Sequence, residues 1–197
     1  MQSLLTEPIQ KTELKYPRLV ERANQCLDLY RDTNDILYAM EEDSICHLFE
    51  CKGLETYEQI ASFCKEHEIE RVIDIGCAHG HQSEVFLQQG LDYVGVNEHR
   101  DNFWNGDKFQ FICNHYPCKL PTKKGDLGVS VLCLTWNVYL YERKKTLTEQ
   151  CEALQRDFEH CLLYMMPERV DFLSRYFKKV QKIDEGLGYG LYYFSNK

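Results

Sequence analysis

Arg71-Val72-Ile73-Asp74-Ile75-Gly76-Cys77-Ala78-His79-Gly80 is a run of branched apolar residues that stops in a glycine-bearing turn. Val72, Ile73 and Ile75 suit a central strand, and the glycines permit a tight turn that lets a ligand come close to the backbone. Gln82 to Gln89 follows as a helix closed by Gly90, and Leu91-Asp92-Tyr93-Val94-Gly95-Val96 repeats the strand pattern. The unit is β-α-β within about thirty residues. A glycine turn at the head of such a helix is where a nucleotide-like ligand sits.

The stretch resembles the first motif of the class I, S-adenosylmethionine-dependent methyltransferases, an acidic residue and then Gly-x-Gly-x-Gly after the first strand. Here it runs Asp74-Ile-Gly76-Cys-Ala78-His-Gly80. Ala78 stands at the middle glycine, which narrows the approach of the cofactor's methionine end to the backbone. The competing dinucleotide fingerprint needs its third glycine one residue after Gly80, where His81 stands.

The resemblance implies S-adenosylmethionine as cofactor, held by Asp74, Gly76, Ala78 and Gly80 in the first turn. The usual ribose-binding acid at the end of the second strand falls on Asn97, with Glu98 next to it. An amide accepts only through its carbonyl, so Asn97 grips a diol less firmly than a carboxylate does. Asn114, after the third strand, is the counterpart of the residue that meets the adenine amino group. The Asn/Asp-Pro-Pro-aromatic motif of amino-methylating enzymes is absent from Leu134 to Tyr139, and Pro117-Cys118 lies too early for attack on cytosine C5.

Methyl transfer needs orientation and, for a poor nucleophile, a base. Of four histidines on ligand-side loops (His79, His81, His99 and His115), His115 and His81 are the first candidates for that base. Trp136 and Tyr139 are candidates for stacking on a planar substrate, or for core.

The remaining pattern gives the frame. Phe109 to Cys113 reads as a third strand, Leu127 to Leu134 as a fourth and Cys161 to Met166 as a fifth, stopped by Pro167. Lys179 to Ile183 and Tyr189 to Phe194 form a closing antiparallel hairpin, while Leu147 to Phe158 and Val170 to Phe177 carry helical spacing. The expected fold is therefore α/β, a seven-stranded, mostly parallel Rossmann-like sheet over residues 71–197, with an antiparallel C-terminal hairpin. Residues 1–70 form an N-terminal helical extension or cap. Within it, one helix starts at Pro17 and another carries Tyr57, Ile60, Ala61 and Cys64, with Asn34 to Cys51 a short helix or a lid-like loop.

At 197 residues the chain buries a core without staples, and its ten scattered cysteines, with no Cys-x-x-Cys, read as reduced thiols. No apolar run approaches ~20 residues, so no membrane span and a cytoplasmic location are expected. A net charge of −8 disfavours a nucleic-acid substrate, despite basic clusters at Lys119, Lys123 and Lys124 and at Arg143-Lys144-Lys145. His79 with His81, and His115 with Cys118, have metal-like spacing, but no second half completes a site and no metal is expected. The expected function is methyl transfer to a small molecule or a protein side chain. The alternative is an inactive methyltransferase-like fold that binds a protein partner, a surface on the N-terminal helices being the candidate.

Overall fold

The computed structural model describes residues 15–50, 53–98, 109–131, 133, 144–184 and 188–196. Helices α1 (Pro17–Thr33), α2 (Ile36–Glu50) and α3 (Gly53–Glu66) precede strand β1 (Arg71–Ile75). After them come α4 (Ser83–Gln88), β2 (Asp92–Asn97), β3 (Phe109–Cys113), β4 (Leu127–Val131), α5 (Lys144–Asp157), β5 (His160–Met165), α6 (Pro167–Leu173), β6 (Lys179–Lys182) and β7 (Gly190–Ser195). The sheet order is β3-β2-β1-β4-β5-β7-β6, parallel through β5. β7 lies between β5 and β6 and runs antiparallel to both. The expected seven-stranded α/β sheet with its antiparallel hairpin is the fold observed.

Strand alternation sorts the core into two layers. Val72, Tyr93, Leu127, Val129, Leu162 and Leu191 face one side, where α1, α3 and α4 contribute Leu19, Ile60, Cys64, Val85 and Phe86. Ile73, Val94, Leu163, Met165 and Phe194 face the other, packed on Leu154 of α5, on Phe158 just after it and on Leu173 of α6. Gly128 allows this close packing, because a Cβ there would stand 2.8 Å from the Phe158 ring.

The helix ends follow local chemistry. Pro17 opens α1 in its first turn, where a missing N–H costs nothing, and Asn34 closes it in the left-handed region with its N–H on Tyr30 O at 2.8 Å. Pro167 both stops β5 and starts α6.

Three expectations change. Asn34 to Cys51, open between short helix and lid, contains the 15-residue helix α2. The fourth strand ends at Val131 rather than Leu134, and Cys133 is already helical. The β3–β4 connection is a loop, as its prolines and lysines suggest, and in it the buried Tyr116, with Cys118 and Leu120, covers that part of the second layer. The C-terminal turn of the last predicted helix unwinds after Leu173, so Phe177 is buried from a turn. Among the described residues no helix is long and apolar enough to cross a membrane.

Candidate functional site

Parallel α/β sheets present ligand sites beyond the carboxyl ends of their strands. The β1–α4 turn is pinned there by Gly76 N–H and Cys77 N–H, which both donate to Val96 O of β2, at 2.8 and 3.2 Å. Gly76 has φ +80°, and a Cβ on it would stand 1.9 Å from Cys133 Sγ, so the position accepts glycine on two counts. Ala78 has φ +48°, in the left-handed region where a glycine is at ease and an alanine costs about 1 kcal/mol. The substituted glycine of the motif is thus a strained position in this chain.

Asp74 is fully buried behind the turn. Its Oδ2 accepts from Tyr93 OH at 2.6 Å and from Gln82 Nε2 at 2.8 Å, and the same Gln82 nitrogen donates to Cys77 O at 2.9 Å. Burial raises the Asp74 carboxyl to about 6, with the two hydrogen bonds pulling the other way. Asp74 therefore acts on the glycine turn through Gln82, a residue that sequence reasoning missed.

Two cavities meet at Gly76. The larger, about 410 Å³, has Gly76, Cys77, Ala78 and Gln82 on its floor. Its walls are α2, with Asp43 and His47, together with Tyr57 of α3 and Tyr164 of β5. The smaller, about 40 Å³, lies between Asn97, Glu98, Asn114, His115 and Gln150 of α5. Gln150 is 3 % exposed, and its Oε1 has no hydrogen-bond partner among the described residues. A buried carbonyl left so is an acceptor waiting for a donor.

The predicted site residues separate into distinct surroundings. Asp74, Gly76, Ala78 and Gly80 form the turn and its brace. Asn97, Glu98 and Asn114 line the small cavity as a group, with His115 beside them. Asn114 Oδ1 accepts the His115 N–H at 2.8 Å, capping its own loop, and Asn114 N–H donates to Asn97 O at 2.9 Å. His115 Nδ1 pairs with Glu98 Oε1 across the rim, both side chains more than half exposed.

His81 lines neither cavity. It is 1 % exposed, with Nε2 at 3.0 Å from Glu41 Oε1, and Arg22 of α1 donates from Nε and Nη2 to the same carboxylate at 2.8 and 2.9 Å. Burial would raise the Glu41 carboxyl, but the hydrogen bonds from His81 and Arg22 outweigh it and hold it at about 2. His81, expected as a base, is placed instead where it ties α1 and α2 to the residues that open α4. His99, Trp136 and Tyr139 lie outside the described residues. Among the described residues no three His, Cys, Asp or Glu side chains converge as metal ligands.

The cavity-lining residues of α2 left little trace in sequence. Glu41 and Ile45 face the protein interior while Met40, Asp43, Ser44, His47 and Leu48 face the cavity. With the charged Glu41 on its buried face and Ile36, Leu37 and Met40 exposed, the helix lacks the single apolar stripe by which amphipathic helices are read. The one usable signal was the i, i+3, i+4 spacing of those five residues.

No protein-family profile matches the chain, and no curated protein matches it in sequence. Solved structures do. The 1,6-didemethyltoxoflavin-N1-methyltransferase of Burkholderia thailandensis, solved with 1,6-didemethyltoxoflavin and S-adenosylhomocysteine, superposes with a TM-score of 0.58 at 12 % identity, over 99 % of this chain and 92 % of that one. A TehB-like methyltransferase from Corynebacterium glutamicum gives 0.56 at 13 % identity, over 92 % and 99 %. Human N-acetylserotonin methyltransferase, in complex with S-adenosylmethionine, gives 0.60 at 11 % identity, over 85 % and 57 %. The chain spans about 40 % of the length of WbdD, a bifunctional kinase-methyltransferase that it also resembles, at a TM-score of 0.54. The shared architecture is the class I methyltransferase fold.

Proposed function

We propose that this protein transfers a methyl group from S-adenosylmethionine to a small molecule or a protein side chain. The observation that carries the reading is the place of Gly76, at the carboxyl edge of β1 and on the wall of both cavities. A donor laid across that glycine puts its adenosine toward Asn97, Glu98 and Asn114 and its sulfonium toward the larger cavity. When bound, it supplies an activated methyl group.

The residues present fit such a ligand. Glu98 is the carboxylate for the ribose hydroxyls, with Asn97 beside it, and Gln150 Oε1 is a buried acceptor facing the same space. At about 40 Å³ that space holds a few waters, so an adenosine enters only as the rim opens. The rim is the exposed Glu98–His115 pair, and parting an exposed pair costs about 0–1 kcal/mol. Asp74 and Gln82 hold the turn while this happens. The described cysteines are all free thiols, which goes with a reducing, cytoplasmic setting.

Titration calorimetry with S-adenosylmethionine and S-adenosylhomocysteine, under reducing conditions, tests the reading. Micromolar binding of both is the expected result. A folded protein that binds neither at millimolar ligand is instead a methyltransferase-like module for a protein partner.

A further inference from the structure

The described lining of the larger cavity holds few groups able to take a proton. Burial raises the Tyr57 hydroxyl and the Cys77 thiol well above their ordinary values, and raises Tyr164 as well, so all three stay protonated at neutral pH. Asp74 stands behind Gln82 and does not line the space. Among the described residues, the titratable lining that remains is Asp43 and His47, one helical turn apart on the cavity face of α2. Histidine is the side-chain type whose proton comes and goes near neutrality.

The walls also limit what enters. Met40, Leu48, Val131, Tyr57 and Tyr164 make them largely apolar, and no lysine or arginine is among the described lining residues. A carboxylate or phosphate on the acceptor would face Asp43 with no lysine or arginine among the described lining residues to pair with it. Beyond the mouth the same stripe of α2 continues as Met40, Leu37 and Ile36, all more than half exposed, so an apolar body has a surface to enter along.

Resting on the methyltransferase reading, we propose that His47, with Asp43 to orient it, is the proton acceptor of the reaction, and that the methyl acceptor is a small uncharged molecule bearing a ring O–H or N–H. The nucleophilic oxygen or nitrogen bonds to the methyl carbon as the carbon–sulfur bond of the donor breaks, and that electron pair returns to sulfur. The proton of the O–H or N–H passes to the His47 imidazole. S-adenosylhomocysteine leaves uncharged at sulfur, and His47 then gives its proton to water. His115 has no part in this step, since it belongs to the smaller cavity.

The experiment uses the full chain as wild type, His47→Asn and Asp43→Asn. Calorimetry with S-adenosylhomocysteine comes first, with equal affinity expected for all three. Methyl transfer from labelled S-adenosylmethionine is then measured with 1-naphthol, benzimidazole and 1-naphthoate. Transfer to 1-naphthol or benzimidazole and none to 1-naphthoate is expected, with kcat lowered about 100-fold in His47→Asn and the acid limb of the wild-type pH profile lost. NMR of the His47 ring should show its signals moving when 1-naphthol joins the S-adenosylhomocysteine complex. Normal S-adenosylhomocysteine affinity together with no transfer to the neutral probes, preference for 1-naphthoate, unmoved His47 signals or unchanged catalysis by His47→Asn overturns the proposal. Failure of the wild type to bind S-adenosylhomocysteine overturns the methyltransferase reading beneath it.

Discussion

Two histidine–carboxylate pairs flank the glycine turn, and they differ in almost everything but composition. His81 and Glu41 are each 1 % exposed at the side chain and share their site with Arg22, whereas His115 and Glu98 are 53 % and 55 % exposed. The first joins helices α1 and α2 to the start of α4; the second bridges two loops at the mouth of a cavity. Out of water, a pair cannot exchange partners for solvent, so loss of one member leaves a stranded charge. In water the same loss is nearly free. Burial has made one pair a fastener and left the other able to part for a ligand.

The sharpest way to break this contrast is Glu41→Gln, which strands the Arg22 guanidinium against a neutral amide. Urea unfolding should show a loss of about 3 kcal/mol. A loss as small as that of a surface pair would mean the buried network is not a fastener.

The pH dependence of stability sharpens it further, because two buried carboxyls act with opposite sign. Glu41, held at about 2 against an ordinary 4.5, contributes stability that is present above 4.5 and is lost as pH falls toward 2. Asp74 is raised from 3.8 to about 6, so its contribution is complete below 3.8 and is lost as pH rises through 6. That second change amounts to about 3 kcal/mol at one pKa unit per 1.36 kcal/mol. Urea midpoints followed from about pH 3 to about pH 7 should lose this fall in Asp74→Asn and keep it in Glu98→Ala.

Effects at the exposed pair are smaller and fall on binding. Glu98→Ala should weaken S-adenosylhomocysteine binding by roughly 1 to 3 kcal/mol by calorimetry, with unfolding unchanged. It is a cleaner probe than any change at Gly76, where a Cβ meets Cys133 and disturbs fold and site together. His115→Ala should alter stability by less than about 0.5 kcal/mol and, by releasing Glu98, tighten the same ligand by up to about 1 kcal/mol. Weaker binding in His115→Ala would make His115 a ligand contact rather than a latch.

The fold was largely legible in the chain. β1, β2 and β5 are apolar runs because both of their faces are covered, and Pro17, Asn34, Gly90 and Pro167 punctuate the helices by local backbone chemistry. The site was legible where it is local, in the turn from Asp74 to Gly80 and in the residues that follow β2 and β3. It was not legible where it depends on α2, which buries the charged Glu41 and exposes Ile36, Leu37 and Met40, or on Gln82 and Gln150, which are polar residues in otherwise ordinary helix starts and faces.

By itself, then, the sequence determined the alternation of strands and helices and the turn at β1, since both follow from periodicity and from the φ values that single residues tolerate. Only the tertiary structure decided that β7 enters between β5 and β6, that His81 is sealed against Glu41 while His115 stays in water, and that Asp43 and His47 face the glycine turn. Those outcomes rest on contacts between residues tens of positions apart, and burial, which sets what a charge costs and what a proton does, exists only once such contacts have formed.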